Sequence, residues 1–327
     1  MNNSLYTLES TGTDPYHNIA TEEQLLLGVP SSAVVLYLWQ NQRTVVIGRN
    51  QCAWRECNID LLTGDNGHLA RRLSGGGAVY HDLGNLNFTF LYPKNKEDIR
   101  KQTMVIADAV ASFGLAAEIS GRNDITINGR KFSGNAYYGQ GERAYHHGTI
   151  MMQVDFDLLG RYLNVNQDKY RSKGVDSVRA RVVNLCELNE SITIPLMKQK
   201  LIAAFEKNFG GKSQSVPDAW VPPVEISRAS ERFSSWDWIY GRPVDCNWAA
   251  EKKFAWGVLR IELKILGGVI RRCGIYTDAI QIGLFTALEP KIIGLVFDKN
   301  DVIREVKSTL PPGEYQSDVV ALFEEAF

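Results

Sequence analysis

Apolar residues along the chain fall into short β-rich runs separated by helical stripes, and their order predicts an α+β fold. Val34-Val35-Leu36-Tyr37-Leu38-Trp39 and Thr44-Val45-Val46-Ile47-Gly48 predict strands from their β-branched and aromatic content; Leu86-Asn87-Phe88-Thr89-Phe90-Leu91-Tyr92 predicts a third from its period-two alternation. Ahead of them, Asp14-Pro15 reads as an N-cap with proline at the first helical position, opening a helix through Asn18 to Leu27. Ile106, Val110 and Phe113 stand at helical spacing between Ile99 and a C-capping Gly114. Thr149 to Val154 predicts another strand, and Met197, Leu201, Phe205 and Phe209 mark a helix from near Pro195 to Gly210-Gly211. Between 214 and 248 the texture changes to Pro217, Pro222-Pro223, Trp236-Asp237-Trp238 and Gly241-Arg242-Pro243, which reads as a linker ending near Cys246. Beyond it, Val258 to Leu266 and Val269 to Tyr276 alternate about Gly267-Gly268, and a short helix covers Ser317 to Phe327. Two domains are therefore expected, 1–246 and a smaller α+β unit, 247–327, with no catalytic constellation of its own.

The clearest hairpin signal is Ile125-Thr126-Ile127-Asn128-Gly129-Arg130-Lys131-Phe132, two short runs about an Asn-Gly turn. A two-residue loop pairs Ile127 with Arg130, Thr126 with Lys131, Ile125 with Phe132 and Asp124 with Ser133, and cross-strand partners share a face. Asp124, Thr126, Lys131 and Ser133 are thus expected to project together, with Ile125, Ile127 and Phe132 toward the core. Flanked by Ser120-Gly121-Arg122-Asn123 and Ser133-Gly134-Asn135, that polar face has the character of the floor of a site.

Composition narrows the function classes. Lys+Arg 36 against Asp+Glu 37 leaves a net charge of -1, which argues against a general nucleic-acid or membrane-surface binder while permitting a local basic pocket. The start carries no basic segment followed by an apolar run, and no stretch approaches eighteen apolar residues, so a cytoplasmic, soluble protein is expected. Five scattered cysteines without a Cys-x-x-Cys unit fit a reducing compartment and disfavour a disulfide framework or a zinc site. His146 and His147, adjacent on a strand, point to opposite faces and make a poor metal pair.

The densest candidate chemistry lies at Arg71-Arg72-Leu73-Ser74-Gly75-Gly76-Gly77-Ala78-Val79-Tyr80-His81-Asp82. Consecutive glycines admit a ligand close to the backbone and offer N–H donors to an anion, although a bulge or tight turn between strands would also use them. The run is neither a Walker loop nor a dinucleotide fingerprint, and Gly211-Lys212-Ser213 only imitates a P-loop ending, because Glu206 stands where the first glycine is required. Of the adjacent arginines only one is expected to enter a pocket; either could instead be a solvated surface residue. Lys131 could be an exposed lysine beside a turn, and His81 and Asp82 could simply cap a turn. No Gly-x-Ser-x-Gly elbow is present and no cysteine lies in these segments, so positioning and positive charge, rather than a covalent enzyme intermediate, would carry any chemistry.

Taken together, Arg71-Arg72-x-Ser-Gly-Gly-Gly-Ala-Val-x-His-Asp-x-Gly-Asn, Gly121-Arg122-Asn123-Asp124, Gly129-Arg130-Lys131-Phe132-Ser133-Gly134-Asn135-Ala136 and His146-His147-Gly148-Thr149 resemble lipoate–protein ligases of the bacterial lipoate-scavenging type. The resemblance spans about Asp14 to Trp238, and more weakly the C-terminal part, which is similar to that family's accessory domain. It implies the mixed-sheet catalytic fold shared with biotin protein ligases, plus a small C-terminal α+β accessory domain. It also implies a two-step reaction: lipoate and ATP, with Mg²⁺, give lipoyl-AMP and pyrophosphate, and a lysine of an apo lipoyl domain then takes the lipoyl group. The implied acceptors are 2-oxoacid dehydrogenase acyltransferases and the glycine-cleavage H protein. By the same resemblance Lys131 is catalytic and contacts both lipoate and ATP, Arg72 and the Gly77-Ala78-Val79-Tyr80 backbone hold the nucleotide, and Gly75, Gly76 and His81 line the acyl tunnel. Asp124 is the residue expected to bind Mg²⁺, since a hard cation prefers carboxylate oxygen.

Three other readings share some of these residues. A transferase moving octanoyl or lipoyl groups between proteins uses a cysteine nucleophile in this fold, and the motifs hold none. A transferase accepting only preformed lipoyl-adenylate would show the same motifs, but the C-terminal unit resembles the accessory domain of full ligases. A non-catalytic lipoate or nucleotide sensor has no need of Lys131 and Asp124 on one face.

Overall fold

The computed structural model describes residues 4–120, 124–164, 181–241 and 244–327. Its strands are β1 (Ser4–Glu9), β2 (Ala33–Trp39), β3 (Thr44–Ile47), β4 (His68–Arg71), β5 (Val79–His81), β6 (Asn85–Pro93), β7 (Glu118–Ser120), β8 (Asp124–Ile127), β9 (Arg130–Gln140), β10 (Arg143–Met151), β11 (Ser213–Ser215), β12 (Trp248–Phe254), β13 (Gly257–Leu266) and β14 (Val269–Thr277). Among the described residues, eight of them form one mixed sheet in the order β11-β1-β2-β6-β10-β9-β8-β7, parallel at β11-β1-β2 and antiparallel across the rest. A small sheet, β4-β3-β5, lies apart from it, and β12-β13-β14 form a third in the C-terminal unit.

The large sheet is covered on both faces, which is why β2 and β6 are buried along their whole lengths. One phase of each strand, Val34, Leu36 and Leu38 with Phe88 and Phe90, packs against the helices Ile99–Ala111 and Ile194–Phe209. The other phase, Val35, Tyr37 and Trp39 with Leu91, packs under the helices Pro15–Gly28 and Pro223–Ser234. Each such buried apolar side chain contributes about 1.5–3 kcal/mol. The first helix starts as expected: the Asp14 side chain accepts from the Tyr16 and His17 N–H groups and Pro15 occupies the first turn. The helix Ile194–Phe209 ends in Gly210 at φ 75.

Three expectations are corrected. The stretch expected as a linker holds the helices Pro223–Ser234 and Trp236–Tyr240. Ile226, Ala229 and Phe233 recur there at helical spacing and enter the main core, so the prolines mark a helix start rather than an unstructured joint. The C-terminal unit adds β12 and the helices Ile282–Ile292 and Lys299–Thr309 to the two expected strands, and its last helix spans Glu314–Ala326 around its own core of Leu259, Ile261, Phe285 and Phe323. Of Thr149 to Val154 only Thr149–Met151 is strand, the end of one that begins at Arg143. Among the described residues no helix is long and apolar enough to cross a membrane.

Candidate active site

The Asn128-Gly129 turn forms as expected, with both residues in the left-handed region at φ 51 and 73. Next to the turn the pairs Ile127–Arg130 and Thr126–Lys131 hold, but a bulge then shifts the register, so Ile125 faces Ser133 and Asp124 faces Gly134. Ser133 is consequently buried with Phe132 instead of projecting beside Asp124. Gly134 takes its place on the polar side. A Cβ there would come within 2.8 Å of Lys131 Nζ, so the lysine lies directly over that glycine. Lys131 Nζ and Asp124 Oδ1 form an ion pair at 2.8 Å. Gly121, Arg122 and Asn123 of the expected flank, and Arg242 and Pro243 of the expected linker, lie outside the described residues.

Lys131 and Asp124 open onto a cavity of about 380 Å³. Its opposite wall is the glycine loop, with Gly76, Gly77, Ala78 and Val79 lining it together with Arg72 and His81. Gly76 sits at φ 89, a conformation that side chains rarely adopt, and is held there by its neighbours. Two expected residues are not among those lining this cavity. Gly75 packs against the C-terminal unit, where a Cβ would meet Ala279 O at 2.3 Å, and Tyr80 points into a separate apolar core beside Tyr162. The Gly76 N–H is likewise bonded to Ala279 O, so this part of the glycine run seats the C-terminal unit.

Neither arginine is a surface residue. Arg71, 1% exposed, donates to the carbonyls of Gly48, Arg49, Gln51, Trp238 and Ile239. Arg72 reaches the cavity and wraps the loop, donating to Ser74 Oγ and to the carbonyls of Val46, Gly75 and Gly77. Burial lowers its pKa to about 10, so it remains cationic.

Behind the loop lies a polar chain that no local motif announces. His147 Nδ1 meets Glu22 Oε1 at 2.8 Å and its Nε2 meets Ser74 Oγ at 2.8 Å, and Thr89 Oγ1 donates to the same Glu22 oxygen. The order Ser-His-Glu imitates a hydrolase triad, yet Ser74 is fully buried and also accepts from Arg72. It braces the loop instead of facing a substrate. His146, on the opposite face as expected, is buried between Gln102 and Asn135. The C-terminal unit closes the cavity with Ala255, Trp256, Asp278 and Tyr315, a wall that the sequence reading missed. Asp278 also lines a neighbouring cavity of about 280 Å³ that includes Arg55, Glu56 and Arg260 and shares Gly77 and Ala78 with the first.

The family described as the lipoyl protein ligase A/B catalytic domain matches residues 14–206, and that described as the bacterial lipoate protein ligase C-terminus matches residues 244–315. The lipoate-protein ligase A of Psychrobacter cryohalolentis is 37% identical over 309 residues, covering 91% of this chain and 90% of that protein. Among solved structures, P. falciparum LipL1 in complex with lipoate superposes with a TM-score of 0.84 at 28% identity, over 97% of this chain and 98% of that one. The bi-partite lipoate protein ligase of Thermoplasma acidophilum, described with its E2 lipoyl domain, gives 0.66 at 26% identity, over 75% and 98%.

Proposed function

Since the chain belongs to the lipoate–protein ligase family and is an enzyme of that class, we propose that it activates lipoate with ATP, releasing pyrophosphate, and passes the lipoyl group from lipoyl-AMP to a lysine of an apo lipoyl domain. The observation that carries this reading is the enclosure of Lys131 and the glycine-loop backbone in one cavity. A carboxylate is a poor acyl donor until its oxygen becomes part of a leaving group. It must therefore attack the α-phosphate, where added negative charge calls for fixed cations and N–H donors. Lys131 supplies the cation to the carboxylate and the α-phosphate, and Gly77, Ala78 and Val79 supply backbone. Arg72 acts through the loop it holds and through its charge. Tyr80 contributes through its backbone, its side chain lying in the apolar core, and Gly75 seats the C-terminal unit.

Mg²⁺ takes most of its ligands from phosphate and water, so one carboxylate suffices, and Asp124 is the residue we assign to it. Among the described residues no group of three or more His, Cys, Asp or Glu side chains is arranged for a metal, which fits an ion carried in with the nucleotide. Its chemistry there is to neutralise charge on the separating phosphates. In the second step, Lys131 beside the incoming amine favours the neutral, nucleophilic form of a lysine whose reference pKa is about 10.4. Acceptors are the lipoyl domains of 2-oxoacid dehydrogenase acyltransferases and the glycine-cleavage H protein, in the cytoplasm; the Thermoplasma relative with its E2 lipoyl domain supports the first.

The test is incubation of the purified protein with lipoate, labelled ATP, Mg²⁺ and an apo lipoyl domain. Pyrophosphate release with lipoylation of the domain is expected; labelling from preformed lipoyl-AMP alone would overturn the ATP step. Lys131→Ala is expected to remove adenylate formation, by at least about 10²–10³-fold, with the melting temperature retained. Near-normal adenylation in that variant would sink the assignment.

A further inference from the structure

The catalytic domain and the C-terminal unit meet without sharing an apolar core. The core of the C-terminal unit takes no residue from the catalytic domain, and the three cores of that domain take none from the C-terminal unit. The seam between them includes hydrogen bonds from the Gly76 N–H to Ala279 O, from the Thr277 N–H to Asn50 O and from Asn50 Nδ2 to Ile282 O. One ion pair crosses it, Arg55 with Glu251 at 2.7 Å, and with side chains 43% and 32% exposed it adds little. An interface without a large apolar core is the kind that opens in solution.

Between the two units lies the cavity of about 280 Å³, and its charges do not balance. Glu56, at the end of the short helix Ala53–Glu56, comes from the catalytic domain; Glu251 of β12, Arg260 of β13 and Asp278 beyond β14 come from the other unit. Both arginines are taken up by the acids of β12 and β13, since Arg55 and Arg260 each pair with Glu251 and Arg260 Nε also meets Glu262 at 2.7 Å. Asp278 Oδ1 accepts the Val258 N–H at 2.7 Å. The other titratable groups on the wall are Cys52, a thiol that burial keeps protonated, and the Tyr276 phenol. Among the described residues the Glu56 carboxyl has neither an ion pair nor a hydrogen bond. Ionised, it would add a third negative charge to the closed space, facing Asp278 and Glu251, while the cation on its own helix is already shared. Burial, and then Asp278, accordingly raise its pKa to about 7.

We propose that Glu56 is a proton-operated latch between the two units: as a neutral acid it lets Glu251 and Asp278 close over it, and as a carboxylate it loosens the C-terminal unit from the glycine loop. The effect reaches the catalytic cavity, because Trp256, Asp278 and Tyr315 leave its wall with that unit. The latch concerns docking alone and holds whichever acid or nucleotide the cavity takes. Docked, Glu56 keeps its proton up to about 7; with the units apart and the carboxyl in water it loses it near 4.5. Docking therefore takes up one proton between those values. Its equilibrium constant is largest below that window, falls about tenfold for each pH unit across it, and is level above it.

The experiment is amide hydrogen exchange of the full chain at residue resolution between about pH 5 and 8, each rate divided by the unprotected rate at the same pH. The Gly76 and Thr277 N–H groups, which donate across the seam, should lose about tenfold in protection for each unit up to about 7 and hold steady beyond it. Amides of Val105 and Val306, buried in the two separate cores, should not fall with them. In Glu56→Gln the seam protection should stay high and level across the range. A ¹³C-carboxyl titration of the wild type should place the Glu56 midpoint near 7. Level seam protection in the wild type, a fall shared by the core amides, or an equal fall in Glu56→Gln would overturn the proposal. So would a Glu56 midpoint at the ordinary 4.5, a result that needs no variant to fold.

Discussion

Arg71→Lys separates the two adjacent arginines by role. The Arg71 guanidinium bonds five main-chain carbonyls, three in the segment Gly48–Gln51 and two in the helix Trp236–Tyr240, at 2.6–3.1 Å. Lysine keeps the charge and much of the length but has three donors and no fork, so at least two of the five carbonyls go unpaired. At about 1–3 kcal/mol for each buried unsatisfied group, the loss comes to about 2–5 kcal/mol, the top of the range being reduced because Trp238 is only half-buried. For a chain of 327 residues each kcal/mol moves Tm by about 1.5 °C, so a fall of roughly 3–7 °C is expected. Thermal melts and urea titrations at one pH measure it, with an unchanged m-value showing that the native state keeps its compactness. Arg71 does not line the cavity, so KM for both substrates should hold at low temperature. A loss under about 1 kcal/mol joined to a raised KM for ATP would refute the bracing role and place this guanidinium on the ligand.

Gly75→Ala places a methyl group 2.3 Å from Ala279 O and 2.8 Å from Ile280 O, so the C-terminal unit must shift; faster amide exchange at 48–51 and 276–282 is expected, and an unchanged exchange map would contradict the close approach. Asp124→Asn releases Lys131 from a pair whose side chains are 44% and 36% exposed, so stability should change by no more than about 1 kcal/mol, while lipoate binding without nucleotide tightens several-fold by calorimetry; weaker binding would show that the pair helps hold the acid. For pH, His81 and His146 are held down at about 3, chiefly by burial, and stay neutral in the fold while the unfolded chain protonates below 6.5. Their stabilisation is complete above 6.5 and falls by about 1.4 kcal/mol per unit for each histidine as pH drops toward 3. Glu56, raised to about 7 by burial and then by Asp278, works the other way between 4.5 and 7, losing stability as pH rises. Between about pH 5 and 6.5 the net slope should equal one histidine, and Glu56→Gln should double it in urea titrations; a flat profile in both proteins would refute neutral buried histidines.

The features legible in the sequence are those whose cause is local. Asp14-Pro15 caps a helix with its own side chain, Asn128-Gly129 turns because both residues tolerate positive φ, and Gly210 stops a helix in the left-handed region. The bulge that buries Ser133 leaves no such mark, because it follows from how β9 must bend to meet both β8 and β10. The cavity wall formed by Trp256, Asp278 and Tyr315 was equally out of reach, since it exists only through docking of the C-terminal unit on Gly75 and Gly76.

One signal was present in a form that invites the wrong inference. The alternation of Asn87 and Thr89 with Phe88 and Phe90 is the pattern of a half-buried strand, apolar inward and polar to water. Yet β6 is buried at every position. Its polar phase faces the second layer, where Thr89 bonds Glu22 behind the glycine loop and Asn87 lines the cavity. A short polar side chain costs free energy in such a place unless a partner or a ligand meets it. On this central strand Asn87 thus marks the cavity wall and Thr89 the hydrogen-bonded layer behind it, and neither marks solvent. The same argument explains why the buried polar side chains of Asn18 and His147 belong to hydrogen-bonded chains next to the site.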